Sequence, residues 1–312
     1  MYAFFDVIRR FIIGTSMIAF LSAAVVPSLT GQQITDSASR LTAAASRNQT
    51  QNQTSNLPIQ ATTNSSLNWS GYAATTGNFT AVSGTWTVPE AKPGQTGNIS
   101  ADAAWVGIGG VLTHDLIQAG TQAIAYESGK VQYQAWYETL PQVSQPIPLS
   151  IKPGDSVTVT LTQTNSAEWS LVFNNDTTNR NFSTTLNYRS SLSSAEWMEE
   201  MPSTIANNFI PLNNFGTINF TSGWAMKDGD KVNIRDSSAQ AVSMNDGYGN
   251  LLAAPSVFNS TGTGFSVVQA ENLPNSAISS NTSPFEFSSI PGVVPGYSYH
   301  RHHRQFTITI VR

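Results

Sequence analysis

The chain has 312 residues, of which 40% are hydrophobic and only 11% charged, with a formal net charge of -4. A chain of this length can bury a sizeable core, and with so small a charge and no basic stripe between aromatics, attraction to nucleic acid has no source. Cysteine is absent, which removes disulfides, thiolate metal sites and a cysteine nucleophile together.

The first element along the chain is a leader. Arg9 and Arg10 precede the uncharged run 11–26, which is followed by Pro27 and Gly31, the pattern of an export signal. The run is about 16 residues, short of the roughly 20 that span a bilayer comfortably. Residues 1–30 are therefore read as a signal peptide with Ser22-Ala23-Ala24 near its cleavage site, and an uncleaved anchor over 11–26 is the other form. Either way the expected location is secreted or extracytoplasmic, with no stable membrane partner once the leader is removed. Residues 31–66 are dominated by Ser, Thr, Asn, Gln and Ala. They lack the apolar surface to offset ordering entropy and read as a polar linker or pro-segment. The sequons Asn48-Gln49-Thr50, Asn52-Gln53-Thr54 and Asn68-Trp69-Ser70 are what an Asn- and Thr-rich composition produces by chance.

From Leu67 onward short alternating runs are separated by Gly, Pro, Asn and Asp, which predicts antiparallel strands in a sandwich or barrel. Leu116, Gln118, Gly120 and Gln122 alternate with Ile117, Ala119, Thr121 and Ala123. Val131, Tyr133, Ala135 and Tyr137 take one face of the next strand, with Gln132, Gln134, Trp136 and Glu138 on the other, so a large aromatic shares a face with a carboxylate. Pro153-Gly154-Asp155 is a turn, because Pro sets φ and Gly permits positive φ. It leads into a strand with Val157, Val159 and Leu161 inward. Residues 203–214 could hold a short helix interrupted by Pro211. A further strand is predicted over 264–269, followed by a loop-like extension over 271–312. There His300, His302 and His303 match no closed zinc pattern and read as a solvated basic turn.

Serine and metal hydrolase sites fail for want of partners. Outside the tail the one histidine is His114, and neither a G-x-S-x-G elbow nor an H-E-x-x-H helix is present. No repeated Asp-Thr/Ser-Gly signal supports an aspartic dyad. Three segments instead place polar groups beside tryptophan: Asn68-Trp69-Ser70-Gly71-Tyr72, the stretch 105–120, and Ala195-Glu196-Trp197-Met198-Glu199-Glu200.

These segments resemble the ordered motifs of the glutamic peptidases, or eqolisins. Ala104-Trp105-Val106-Gly107-Ile108-Gly109-Gly110 leads to Leu116-Ile117-Gln118-Ala119-Gly120, then come Tyr133-Gln134-Ala135-Trp136-Tyr137-Glu138 and Ala195-Glu196-Trp197. The similarity covers residues 67–269. It implies an all-β, two-sheet antiparallel sandwich of the concanavalin or jelly-roll kind over 67–270, in agreement with the alternation. It also implies Gln118 and Glu196 as the catalytic pair, with Trp69, Gly71, Trp136 and Glu138 in the substrate cleft. Protein or peptide substrates, an acid pH optimum, a monomer, and no cofactor or metal are expected with it. Ala167-Glu168-Trp169 repeats the key tripeptide, but the flanks of Glu196 match the family motif better. Two departures stand out: Gly109 where fungal members often carry an acid, and the absence of cysteine.

The residue types suit the chemistry. Peptide hydrolysis needs a base for water, an acid for the leaving nitrogen and a donor for the developing oxyanion. One carboxylate can serve as base and then acid while an amide supplies the donor. Glu199 and Glu200 are read as ordinary surface charges. Two other readings fit the tryptophans and carboxylates: a glycoside hydrolase, and a lectin-like binding module on a polar stalk. Glu196 and Glu200 would lie about 13 Å apart on a strand, too far for either glycosidase spacing, whereas a pairing of Glu138 with Glu196 stays open.

Overall fold

The computed structural model describes residues 57–94, 99–204 and 208–273, with the backbone of 305–306. The leader, most of the polar tract and the histidine cluster lie outside the described residues.

In chain order the strands are β1 (Ser65–Ser66), β2 (Trp69–Ala74), β3 (Phe79–Thr87), β4 (Ser100–Gly109), β5 (Leu116–Ala125), β6 (Val131–Thr139) and β7 (Gln145–Pro146). They continue with β8 (Ser156–Asn165), β9 (Glu168–Asn175), β10 (Arg180–Asn187), β11 (Ala195–Glu200) and β12 (Ser203–Thr204). The rest are β13 (Thr217–Lys227), β14 (Asp230–Asn233), β15 (Gln240–Asn245), β16 (Leu251–Pro255), β17 (Phe265–Gln269) and β18 (Gln305–Phe306). Two layers result, as expected of the sandwich. The front layer runs β7-β6-β5-β4-β11-β2-β15 and the back layer β10-β9-β8-β3-β13-β17-β16, and β15 joins them by pairing with both β2 and β16. The named pairs within each layer are antiparallel.

Period-two alternation decides which side chains fill the space between the layers. Val157, Val159 and Leu161 of β8, Trp169, Leu171 and Phe173 of β9, and Phe220 of β13 meet Tyr72, Val106, Ile117, Ala119 and Trp197 of the front layer in one buried cluster. Aromatic side chains with a polar end need a partner when buried. Trp197 Nε1 donates across the layers to the Ser83 carbonyl at 2.8 Å, Trp86 Nε1 to Thr121 Oγ1 at 2.9 Å, and Tyr72 Oη to the Ser256 carbonyl at 2.8 Å. The predicted turn before β8 is present, with Gly154 at φ +84 and Asp155 Oδ2 accepting the Lys152 N–H at 2.9 Å.

The helix expected within 203–214 is not formed in the described part of that stretch. Its backbone groups bond elsewhere: the Ile210 N–H donates to the Pro202 carbonyl, and the Pro211 carbonyl accepts from the Ala101 N–H. Pairing with the end of β4 beyond the reach of β11 thus competes successfully with a helix that Pro211 would break in any case.

Candidate active site

The candidate residues lie on the face of the front layer turned away from the core. Five of its strands share one lateral row: Ala73 of β2 opposes Glu196 of β11, Glu196 opposes Gly107 of β4, Gly107 opposes Gln118 of β5, and Gln118 opposes Glu138 of β6. Glu196 and Gln118 are therefore two strands apart, roughly 10 Å between backbones at the usual strand spacing. The residue between them has no side chain. The space over Gly107 is bounded by Trp105 and Leu116, whose ring and methyl atoms would lie 2.9 and 3.0 Å from a Cβ there.

One step along the strands a second row reads Gly71, Met198, Trp105, Gly120 and Trp136. Trp69, Ala73, Trp105, Leu116, Trp136 and Met198 form an apolar cluster around the polar row, with Trp69 and Trp105 edge to face at 5.1 Å between centroids. The sequence-assigned residues Trp69, Gly71, Gln118, Trp136, Glu138 and Glu196 thus share one face. Gly71 is fixed by backbone approach: a Cβ there would stand 2.1 Å from the Trp197 carbonyl oxygen, so no other residue fits without shifting β11. The repeat tripeptide around Glu168 lies on β9 in the back layer, away from Gln118.

The polar row is buried. Glu196 and Glu138 have no exposed surface and Gln118 retains 2%. Gln118 Nε2 donates to Glu138 Oε2 at 2.7 Å, which sets the amide's orientation, while Gln118 Oε1 has no hydrogen-bond partner among the described residues. The oxygens of Glu196 likewise accept no hydrogen bond of standard geometry there. Burial pushes the Glu196 carboxyl well above the ordinary range, the nearby Ser194 hydroxyl opposes this in part, and the negative charge of Asp115 adds to it. Burial thus favours the protonated form of Glu196, and a carboxylate destabilised in this way is a stronger base once ionised.

Two carboxylates correct the sequence reading. Glu199 and Glu200 are not surface charges: they are 0% and 1% exposed, because β2 and β4 flank β11 on both sides. Glu200 Oε2 accepts the Trp105 indole N–H at 2.8 Å and its Oε1 the Asn68 amide at 3.3 Å. Glu200 thereby ties Trp105 of β4 to Asn68 just ahead of β2. Its place four residues after Glu196, on the same face, was the available signal. Glycosidase pairings find no support, since Glu138 and Glu196 stand three strands apart and Glu196 and Glu200 four residues apart on one strand.

The buried neutral state of Glu196 has a consequence for stability. An unfolded glutamate ionises near pH 4.3, whereas folded Glu196 holds its proton to higher pH. Between those two values the native state binds more protons, so stability falls as pH rises through the window. Asp115 acts oppositely, since its folded carboxyl is held below the ordinary value and its contribution is lost as pH falls through that value. The melting temperature is expected to be higher near pH 4 than at pH 7, and Glu196→Gln should flatten this difference; a wild-type melting temperature that rises from pH 4 to 7 would contradict it.

Residues 67–266 match the model of the Peptidase A4 family. The chain is 28% identical over 225 residues to aspergillopepsin-2 of Aspergillus niger, covering 64% of this chain and 78% of that protein. It is 30% identical over 191 residues to scytalidopepsin B of Scytalidium lignicola, covering 57% and 71%. Among solved structures it is similar to scytalido-glutamic peptidase with a transition state analog inhibitor, at a TM-score of 0.56 and 28% identity over 65% of this chain and 98% of that one. A further structure of the eqolisin family, in complex with the tripeptide Ala-Ile-His, has a TM-score of 0.52 and 27% identity over 65% and 98%.

Proposed function

The chain belongs to the Peptidase A4 family and is a glutamic endopeptidase, and on that premise we propose that Glu196 and Gln118 carry out its hydrolysis of peptide bonds. The observation that supports this most is the single row in which these two buried side chains flank Gly107. A water over Gly107 would meet a carboxylate on one side and an amide on the other.

Ionised Glu196 takes a proton from that water as its oxygen attacks the substrate carbonyl. The remaining N–H of Gln118 donates to the oxygen on which negative charge develops, while Gln118 Oε1 can accept from the attacking water. Glu196, now protonated, returns its proton to the amide nitrogen, and the C–N bond breaks. The N–H bonded to Glu138 holds Gln118 in the orientation this requires. An extended peptide would lie along the tryptophan-lined face, with Trp69, Gly71, Trp136 and Glu138 as its contacts.

Acid conditions favour such a site. Glu138, Glu196 and Glu200 line the same face, and the tetrahedral intermediate adds a further negative charge. Low pH, by keeping neighbouring carboxyls neutral, reduces the repulsion. Glu196 must be ionised to act as base, so the low-pH limb of kcat/KM is expected to report its ionisation. The leader reading of residues 1–30 places the enzyme outside the cytoplasm, and this location is part of the proposal.

The full chain should degrade acid-denatured haemoglobin at acidic pH, with neither chelators nor an inhibitor shaped for two aspartates suppressing it. Binding to a glycan array without proteolysis at any pH between about 2 and 7 would return the lectin reading to the front.

A further inference from the structure

The turn between β4 and β5 carries a carboxylate that the reaction above does not use. Asp115 Oδ2 accepts the Ser191 backbone N–H at 2.6 Å and the Ser190 hydroxyl at 3.0 Å, both from the segment leading into β11. The same two segments are latched at three more points. The Gly109 N–H donates to the Ser194 carbonyl at 3.0 Å. Thr113 Oγ1 shares hydrogen bonds with Ser191 Oγ at 3.1 Å and Ser193 Oγ at 3.3 Å. Asp115 precedes Gln118 by three residues and Ser191 precedes Glu196 by five, so this latch governs how both strands enter the reactive row.

Gly109 shows where the carboxylate sits. A Cβ at this position would stand 2.9 Å from Asp115 Oδ2 and 2.6 Å from the Asp115 carbonyl oxygen, and the backbone has φ +88. Asp115 therefore occupies the space that a side chain at 109 would need, which gives the departure at Gly109 a physical cause within this chain.

We propose that Asp115 is a positioning residue for hydrolysis: held by Ser190 and Ser191 beside Gly109, whose N–H donates to the Ser194 carbonyl two residues before Glu196, it aligns the approaches to β5 and β11 and sets a carboxylate at the entry to the reactive row. Burial alone would raise the Asp115 carboxyl, but hydrogen bonds from Thr113, Ser190 and Ser191 outweigh this and hold it below the ordinary carboxylate range. A carboxylate held low in this way favours its charged form, and that charge opposes the ionisation of Glu196. The other titratable or charged groups on the surrounding elements are Glu138 of β6, Glu199 and Glu200 of β11, His114 of the turn, and Tyr188 and Arg189 ahead of β11. The Tyr188 phenol is raised mainly by burial and stays neutral, its hydroxyl accepting the Leu116 N–H at 2.7 Å and donating to the Leu140 carbonyl at 3.0 Å.

The proposal rests on Glu196 as the titrating base, and its test separates the two. In the full chain, the Glu196 carboxyl is titrated by infrared difference between each protein and its Glu196→Gln counterpart, beside the pH profile of kcat/KM on denatured haemoglobin. Asp115→Asn keeps an oxygen for Ser190 and Ser191 but removes the charge. It should move both the Glu196 titration and the low-pH limb downward. Asp115→Ala should show the same shift together with a several-fold loss of kcat, so either variant suffices if the other fails to fold. A Glu196 titration that stays in place in both variants overturns the role of Asp115. A titration that moves while the rate profile does not supports the role of Asp115 and overturns Glu196 as the base.

Discussion

Glu196→Gln is expected to lower proteolysis by roughly four orders of magnitude or more, the scale seen when a group at the centre of a catalytic unit is removed. The substitution keeps the side chain's shape and removes the one group in the reactive row proposed to accept the proton of water and return it to the leaving amine. Folding should survive. Burial already favours the neutral form of this carboxyl, and a neutral amide in the same space adds no charge to a site that excludes water. At pH 7 the variant should be at least as stable as the wild type, because it has no proton to lose on unfolding. Circular dichroism and a thermal melt establish the fold, and initial rates on denatured haemoglobin from about pH 2 to 7 establish the loss. An active, folded Glu196→Gln protein would remove Glu196 from the mechanism.

Gln118→Ala should reduce turnover by about 100- to 1,000-fold, the range for deleting a single oxyanion donor. The loss should fall on kcat, with little change in KM, because the N–H matters most when negative charge has developed on the substrate oxygen. Truncation also leaves Glu138 Oε2 without the donor it has at 2.7 Å, a local penalty of about 1–3 kcal/mol that a melt would register separately from kcat. A change confined to KM would reassign Gln118 to substrate binding.

Local period carried much of this protein's plan. In a strand, side-chain direction depends only on the parity of position, so the alternating run 131–138 already placed Trp136 and Glu138 on one face of their strand, and the run 116–122 placed Gln118 with Gln122 on one face of its own. Val157, Val159 and Leu161 were likewise assigned to the core, where they lie. The turn at Pro153-Gly154-Asp155 was legible for the same reason: its conformation follows from the residues in it.

Tertiary structure decided what depends on neighbours distant in the chain. That β11 inserts between β2 and β4, bringing Glu196 opposite Gly107, is a matter of strand order and register, which no local pattern specifies. The same insertion buries Glu199 and Glu200, whose charges alone suggest a solvated edge, since burial of a strand is set by the strands beside it. In the described part of 203–214 no helix forms, because hydrogen bonds to the N-terminal end of β4 and to Pro202 satisfy its backbone groups instead. Asp115 gave no sign of its place: only the fold brings the approach to β5 against the approach to β11 and sets its carboxylate in the space left by Gly109.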